Sequence, residues 1–445
     1  MSAVFFCPET FCDRTVSPGI IELKFQNSRD AGGGPCPERK NMKRIIAVVL
    51  LVMMLCNVTG CSEITSDGPD GNAQEMTNSS SAAAPEGIEA SDAFLSGYRA
   101  YAMDLMRSCY DGETVMISPY SAYAVLAMIM NGAEGMTKQE FEETFGASLK
   151  DVNNGFAEVA WGSAGRGVVE TANSVWIDSA AKNAIEKNFL TVCGNYYRSA
   201  VFTASFADGK TVDSINDWVK KNTKNRIAKI LESLDPNAVM VLVNAVTFDG
   251  KWVNPFKYEN TYEKAFYHAD GTEETKDMMH GTADRYFENE YMTGFEKYYE
   301  NGYVFRAVLP KDGVSIEEAL SKLSLENIPY ANASSVHVRI PKFTEEATIL
   351  MNDPLQDIGL RTMFTGDADF SGICKESLHV SSVIQKTYIK MDELGTEAAA
   401  ATALTLAATA YMPEEEIRYV YLDHPFIYMI VDENYDIPLF IGTYE

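Results

Sequence analysis

ELGTEAAAATALTLAATAYMPEEE, residues 393–416, is the stretch on which the reading of this chain turns. Alanine is the best helix former, so one reading is a helix of about four turns. Such a helix would bury almost nothing, because larger apolar residues enter only at Leu404 and Leu406. The other reading is an extended segment of small residues without proline until Pro413. Alanines alone do not decide between helix and strand, so the choice rests on the surrounding chain.

The chain has 445 residues, 46% of them hydrophobic, enough for a sizeable core. Its 37 Lys+Arg against 63 Asp+Glu give a formal charge of −26, which repels nucleic acid and anionic lipid headgroups. No Lys/Arg cluster marks a heparin site. Of eight cysteines, only Cys109, Cys193 and Cys374 fall in the globular part, which is no disulfide framework. They read as small apolar residues or idle thiols. No CxxC, HExxH, GxSxG or Gly-rich phosphate loop occurs, so no metal, cofactor or catalytic site is expected.

Residues 42–61, MKRIIAVVLLVMMLCNVTGC, carry a positive start at Lys43 and Arg44 and an apolar run over 45–56. The run is too short to cross a membrane and suits a signal peptide over 42–60. Val58-Thr59-Gly60-Cys61 resembles a bacterial lipobox, with Cys61 as the lipid-bearing residue; an ordinary secretory signal cut nearby is the alternative. Residues 1–41 show no sustained period and are expected to be translated upstream DNA, with Met42 the true start. Codons for Glu38-Arg39-Lys40 can spell a purine-rich ribosome-binding sequence just ahead of it. Residues 61–90, rich in Ser, Ala and Gly, are expected to be a disordered tether. The expected location is the bacterial cell surface, by lipid anchor, or the medium.

From 91 to 445 neither a second linker nor a repeat interrupts the chain. Helical spacing covers 91–109, with Phe94, Tyr98, Tyr101 and Leu105 on one face, after a Ser91/Asp92 start. A second helix follows Ser118-Pro119 to Gly132, and a third covers 212–231 with Ile215, Trp218, Val219 and Ile227 inward. Strand-like runs are MVLVNAVTF, YVFRAVLP, VHVRIPKF, FIYMIV and PLFIGTY. Helices come mostly early and strands mostly late, so the fold class is α+β.

ISPYSAYAVLAMIMNGAEGMTKQEF (117–141) resembles the early signature of the serpins, through Ser118, Pro119, Ser121, Gly132, Ala133, Gly135 and Thr137. TANSVWID, LVNAVTFDGKWVNPF, IPKFTEEATILMNDPLQDIGL, ADFSG, LDHPFIYMI and FIGTY continue the likeness in order over 91–445. The resemblance implies helices packed on a large central mixed β-sheet, further sheets, and an exposed reactive loop at about 393–416. It implies an inhibitor that traps a serine protease rather than an enzyme, and a monomer. In that family a protease cuts the loop, which then inserts as a new strand in the central sheet.

On that likeness Glu393, Gly395, Thr396, Glu397, Ala398, Ala399, Ala400, Ala401 and Thr402 resemble an inhibitory hinge. Period two fits insertion: Ala398, Ala400, Thr402, Leu404 and Leu406 share Thr396's inward parity, while Glu397 falls outward. Leu394 stands where the family usually carries a charge, and Gln385 where many members have histidine. Ser118, Ser121, Asn244 and Gln385, with Trp252, match the sheet-opening region; helix capping and turn chemistry are the alternative for Ser118 and Asn244. Counting from the hinge gives Thr409-Ala410 as the reactive bond, whereas counting back from Asp423-His424-Pro425-Phe426 lands about five residues later. Each bond from Leu406 to Met412 follows an uncharged residue, which suits elastase-like or subtilisin-like proteases. Tyr411 or Met412 would suit a chymotrypsin-like one. A non-inhibitory binding module or chaperone of the same family is the rival reading. Ser179-Ala180-Ala181-Lys182 matches SxxK, but no KTG or SDN accompanies it. His424 reads as structural.

Overall fold

The computed structural model describes residues 73–77, 82–396 and 416–445. The expected signal peptide, Cys61, the hinge residues 397–402 and the Thr409–Ala410 bond therefore lie outside the described residues. Three sheets organise the rest. The central one has six strands in the order β1 (Ala73–Glu75), β4 (Ala200–Ala204), β3 (Val169–Asp178), β5 (Met240–Phe248), β14 (Ser382–Met391) and β13 (Phe343–Leu350). A second has seven: β11 (Tyr330–Ala331), β8 (Arg285–Glu288), β9 (Met292–Tyr299), β10 (Tyr303–Pro310), β16 (Phe426–Asp432), β17 (Ile437–Tyr444) and β2 (Met116–Ile117). The third has four: β15 (Ile417–Tyr421), β12 (Ser335–Pro341), β7 (Glu273–Ala283) and β6 (Thr261–Tyr267).

The helices are α1 (Asp92–Cys109), α2 (Pro119–Met130), α3 (Gly135–Phe145), α4 (Leu149–Ala164), α5 (Lys187–Tyr197), α6 (Lys210–Asn222), α7 (Ile316–Lys322) and α8 (Asn352–Asp357). Ser91 caps α1 by accepting the Phe94 amide, and Phe94, Tyr98, Tyr101 and Leu105 are buried as their spacing predicts. Helix α2 has no polar face because its whole length is buried. It starts at the expected Ser118 cap with Pro119 in the first turn, where a missing N–H costs nothing.

The two faces of the central sheet are not equivalent. Every residue of β5 is buried, so its apolar run reflects cover on both sides. One face carries α6, where Trp176 stacks on Phe202 at 4.4 Å and Phe202 meets Trp218 at 5.3 Å. The other holds α2 and the main core, which Met240, Leu242, Val246 and Phe248 enter from β5. Strand β14 alternates buried and half-buried residues, so its outer face is only partly covered.

Three expectations need correction. The third helix stops at Asn222 rather than near 231, because Lys224 and Asn225 take left-handed backbone (φ 50° and 66°); Ile227 is buried without being helical. VHVRIPKF is not one strand: β12 ends at Pro341 in the third sheet and β13 begins at Phe343 in the central one. Within the expected tether, Ala73–Glu75 forms an edge strand antiparallel to β4, with Ala73 opposite Ala204.

Candidate functional site

β5 and β14 lie side by side and run parallel, from Ser382 opposite Val241 to Tyr388 opposite Thr247. Pairing ends there although β14 continues to Met391. Beyond that point the chain after β14 turns back on itself. Asp392 and Gly395 exchange backbone hydrogen bonds (2.8 and 3.3 Å), and the Asp392 carboxylate accepts the Leu394 amide at 2.9 Å. Gly395 then bridges Lys251 in antiparallel sense, and the Thr396 amide donates to the Gly250 carbonyl. Gly395 and Thr396 thus stand at the open top of the seam, running opposite to both strands.

Side chains fix this turn. Gly395 has φ +146°, and a Cβ there would lie 2.1 Å from the Gly250 oxygen, so both conformation and contact require glycine. The Leu394 carbonyl accepts the Trp252 amide at 2.9 Å, and the Trp252 indole N–H reaches the Asp392 carbonyl at 3.1 Å. Leu394 itself is half-buried, which suits an uncharged side chain at that position. Trp252 stacks on Tyr299 at 4.1 Å, and the Tyr299 hydroxyl lies 2.9 Å from Thr396 Oγ1. Thr396 is fully buried.

Glu393 is buried, its carboxylate accepting from the Lys342 ammonium at 3.1 Å and the Thr261 hydroxyl at 2.9 Å. Burial pushes its carboxyl up, but backbone hydrogen bonding, Lys342 and Thr261 outweigh that and hold it below the usual carboxylate range. Its backbone carbonyl accepts the Phe256 amide at 2.8 Å.

A second polar group lies lower on the same seam. Gln385 Oε1 accepts the Ser118 amide at 2.8 Å, while Nε2 donates to the Ser118 carbonyl and to Asn244 Oδ1, each at 2.9 Å. Glutamine therefore satisfies the site in place of histidine. Ser118 Oγ donates to the Leu439 carbonyl at 2.7 Å while capping α2 at Ser121, so capping and sheet contact are one arrangement. Ser121 Oγ donates to Asn173 Oδ1 at 2.6 Å, which brings in a residue sequence reasoning missed. The quoted TANSVWID could have shown it, because Asn173 is a polar residue in a strand and sits directly opposite Asn244. Trp252 does not join this cluster; it belongs to the hinge. Asn244 Nδ2 and Thr247 Oγ1 are buried without partners among the described residues.

Ser179 of the SxxK match is exposed on a short 3₁₀ turn beside Lys182. His424 stacks on Tyr267 at 5.0 Å and contacts Asp423, which also accepts from Arg339. Cys109, Cys193 and Cys374 are free thiols.

The chain matches the family model described as Serpin (serine protease inhibitor) over residues 96–445, and it belongs to that family. Serpins are generally inhibitors rather than catalysts. An uncharacterized serpin-like protein of Thermococcus kodakarensis is 32% identical over 346 residues, covering 75% of this chain and 80% of that protein. The alpha-1-antiproteinase of Bos taurus is 29% identical over 74% of this chain and 82% of its own length. The thermophilic serpin tengpin in its native state superposes with a TM-score of 0.74 at 31% identity, covering 84% of this chain and 99% of tengpin.

Lys297 is the other residue that sequence did not reveal. It is buried under the hinge support, its ammonium 5.6 Å from the Trp252 ring centre and 4.7 Å from that of Phe256, donating to the Thr282 carbonyl at 3.0 Å. Burial lowers it to about 8 from 10.5, against the opposing pull of Asp284. Between those pH values the unfolded chain holds a proton that the folded protein has lost, so this group's contribution to stability rises with pH across the window. Wild type should therefore gain on Lys297→Met by on the order of 3 kcal/mol from pH 8 to 10.5. Urea midpoints of both proteins across that range check this; tyrosines titrate alike in the two and cancel in the difference. A flat difference would show that Lys297 is not buried as a charge.

Proposed function

We propose that this serpin is a suicide inhibitor of elastase-like or subtilisin-like serine proteases, lipid-anchored through Cys61 at a bacterial cell surface and acting as a monomer. The protease serine attacks at the Thr409–Ala410 bond and forms an acyl-enzyme. The freed loop then inserts between β5 and β14, and the attached protease is dragged along and distorted before it can deacylate.

The observation that carries this reading is the direction and register of the hinge. A strand placed between two parallel neighbours can run antiparallel to both, replacing one slanted ladder with two antiparallel ones. The bridge of Gly395 to Lys251 sets the pairing. An inserted strand that kept this register down β5 would set Ala398 opposite Phe248, Ala400 opposite Val246 and Thr402 opposite Asn244. Directly opposite residues share a face, and Val246 and Phe248 point into the main core. Thr402 would thereby meet the unpartnered Asn244 amide. Ten residues beyond Thr396 reach Leu406, matching the 10 residues of β14. Insertion of that length carries the bound protease roughly 33 Å along the sheet. The alanine-rich composition satisfies both a solvated loop and a buried strand, which a hinge with bulky, charged or proline residues would not.

Incubation with pancreatic elastase and with subtilisin tests the proposal. A complex that survives SDS is expected, together with a released peptide beginning at Ala410 by mass spectrometry. Clean cleavage without a complex would favour the non-inhibitory reading.

Ala400→Glu should convert the inhibitor into a substrate, because insertion would bury an unpaired carboxylate beside Val246 at a cost of several kcal/mol. Each ~1.4 kcal/mol added to the insertion barrier slows trapping about tenfold relative to deacylation. Ala401→Glu is the control: the same register puts it opposite Ala245, whose neighbour on β14 is Lys386, half-buried on the outer face. Moles of inhibitor consumed per mole of protease should rise sharply for the first variant and little for the second. Equal behaviour would show the register to be wrong.

Cys61→Ala, expressed from Met42 in a bacterial host, should move the protein from the membrane fraction to the soluble fraction. Unchanged partitioning, read by fractionation and immunoblot, would remove lipid attachment from the proposal.

A further inference from the structure

Strand β1 fixes where the N-terminal chain meets the central sheet. Ala73 lies opposite Ala204, which in turn lies opposite Asp178 of β3. The adjacent Ile177 lies opposite Met240, the first residue of β5. The hinge turn stands at the other end of β5, where Gly395 bridges Lys251. Between the two levels run the 9 residues of β5, a height of roughly 30 Å. The chain therefore enters the sheet at the pole opposite the hinge.

It is also held there. Ala73 packs against the α6-side core and Met76 against the main one. The Met76 amide donates to the Val201 carbonyl at 2.8 Å, and the buried Thr77 hydroxyl accepts the Val201 amide at 3.3 Å. Residues 62–72 alone separate this strand from Cys61. Fully extended, a chain of that length covers at most about 40 Å, and a flexible linker has an r.m.s. span of roughly 19 Å.

These lengths decide between orientations. With the hinge end against a bilayer, Ala73 would be lifted by at least the height of the sheet, roughly 30 Å before the loop is counted. The linker would then be drawn nearly straight, at a cost in conformational entropy that the opposite orientation avoids. We infer that the anchored protein turns the pole bearing Ala73 toward the bilayer and its hinge end toward the medium; this rests on the lipid attachment at Cys61 proposed above. The reactive loop is thereby presented to proteases arriving from the medium. Under the proposed insertion, the captured protease is carried from that exposed end toward the membrane.

Energy transfer from the protein to a vesicle surface tests the orientation. The chain from Cys61, carrying Cys109→Ser, is coupled through Cys61 to maleimide-bearing lipid in phosphatidylcholine vesicles; Cys193 and Cys374 are buried. The coupling is chemical, so the geometry is read whether or not a cell lipidates Cys61, and lipidation itself is read by the Cys61→Ala fractionation. A donor dye is attached through p-acetylphenylalanine placed at Asn237 or, separately, at Val253, exposed positions beyond the two ends of β5. The acceptor dye is on lipid headgroups. Because the labels differ in height by roughly 30 Å, transfer from position 237 should be at least about threefold more efficient than from 253. Met76→Pro with Thr77→Gly removes both bonds to Val201, releases β1 and should bring that ratio toward one. Equal transfer from the two positions, stronger transfer from 253, or a ratio unchanged by release of β1 would each overturn the inference. The comparison of 237 with 253 is made with β1 intact, so it decides the matter even if the double variant fails to fold.

Discussion

The parallel pairing of β5 with β14 is the constraint on which the rest of this structure depends. Their partners on either side, β3 and β13, run antiparallel to them. The sheet has two parallel pairs, β4 with β3 and β5 with β14, between which a strand of opposite direction could be added without reversing anything else; only the second has residues 392–396 turned back at its open end. Everything the chain does around that seam follows from it. The hairpin at Asp392–Gly395 reverses the chain, Thr396 sits at the open end, and the loop leads from there to β15 in another sheet.

Residues 393–396 are held at that entrance by contacts of several kinds. The pair of buried Glu393 with half-buried Lys342 could not provide this through charge alone, since desolvating an ion pair costs about as much as its attraction returns. What makes the anchor work is that the carboxylate also accepts from Thr261 and from backbone, so its lone pairs are satisfied. Directionality comes from Trp252, which reads the backbone of Asp392 and Leu394 while its ring is fixed against Tyr299. Lys297 below it shows that the packing was kept at the expense of an easily charged group.

Much of this was legible where local chemistry fixes the outcome. The Ser118-Pro119 start of α2 and the largely apolar run of β5 each carry their reason in a few residues. Legibility failed where the reason lies elsewhere in space. Apolar spacing continued through Ile227, but left-handed backbone at Lys224 and Asn225 ends α6 first. VHVRIPKF alternates smoothly, yet its two halves pair with different sheets. Ala73–Glu75 has little apolar signal, because a three-residue edge strand is held largely by backbone bonds, with only Ala73 packed against the α6-side core. Lys297 reads as a solvated lysine, and only the rings above it reveal otherwise. Trp252 and the Ser118 group were read as one region; the seam joins them, but at different heights.

The polar residues along the seam give the closed sheet a weakness confined to one line. Asn244, Thr247, Gln385 and Thr387 are all fully or almost fully buried between otherwise apolar strands. Gln385 is well served by Ser118 and Asn244, yet Asn244 Nδ2 and Thr247 Oγ1 have no partner among the described residues, each costing about 1–3 kcal/mol. Valine in their place would pack as its neighbours do and close the sheet more firmly. Polar groups here keep the two strands together while lowering the cost of parting them, since part of their hydrogen-bonding capacity is already unused. Under the proposed insertion, such a weakness would ease opening at the β5–β14 seam. Residues 172–177 of β3 and the whole of β5 are buried around Asn173 and Asn244.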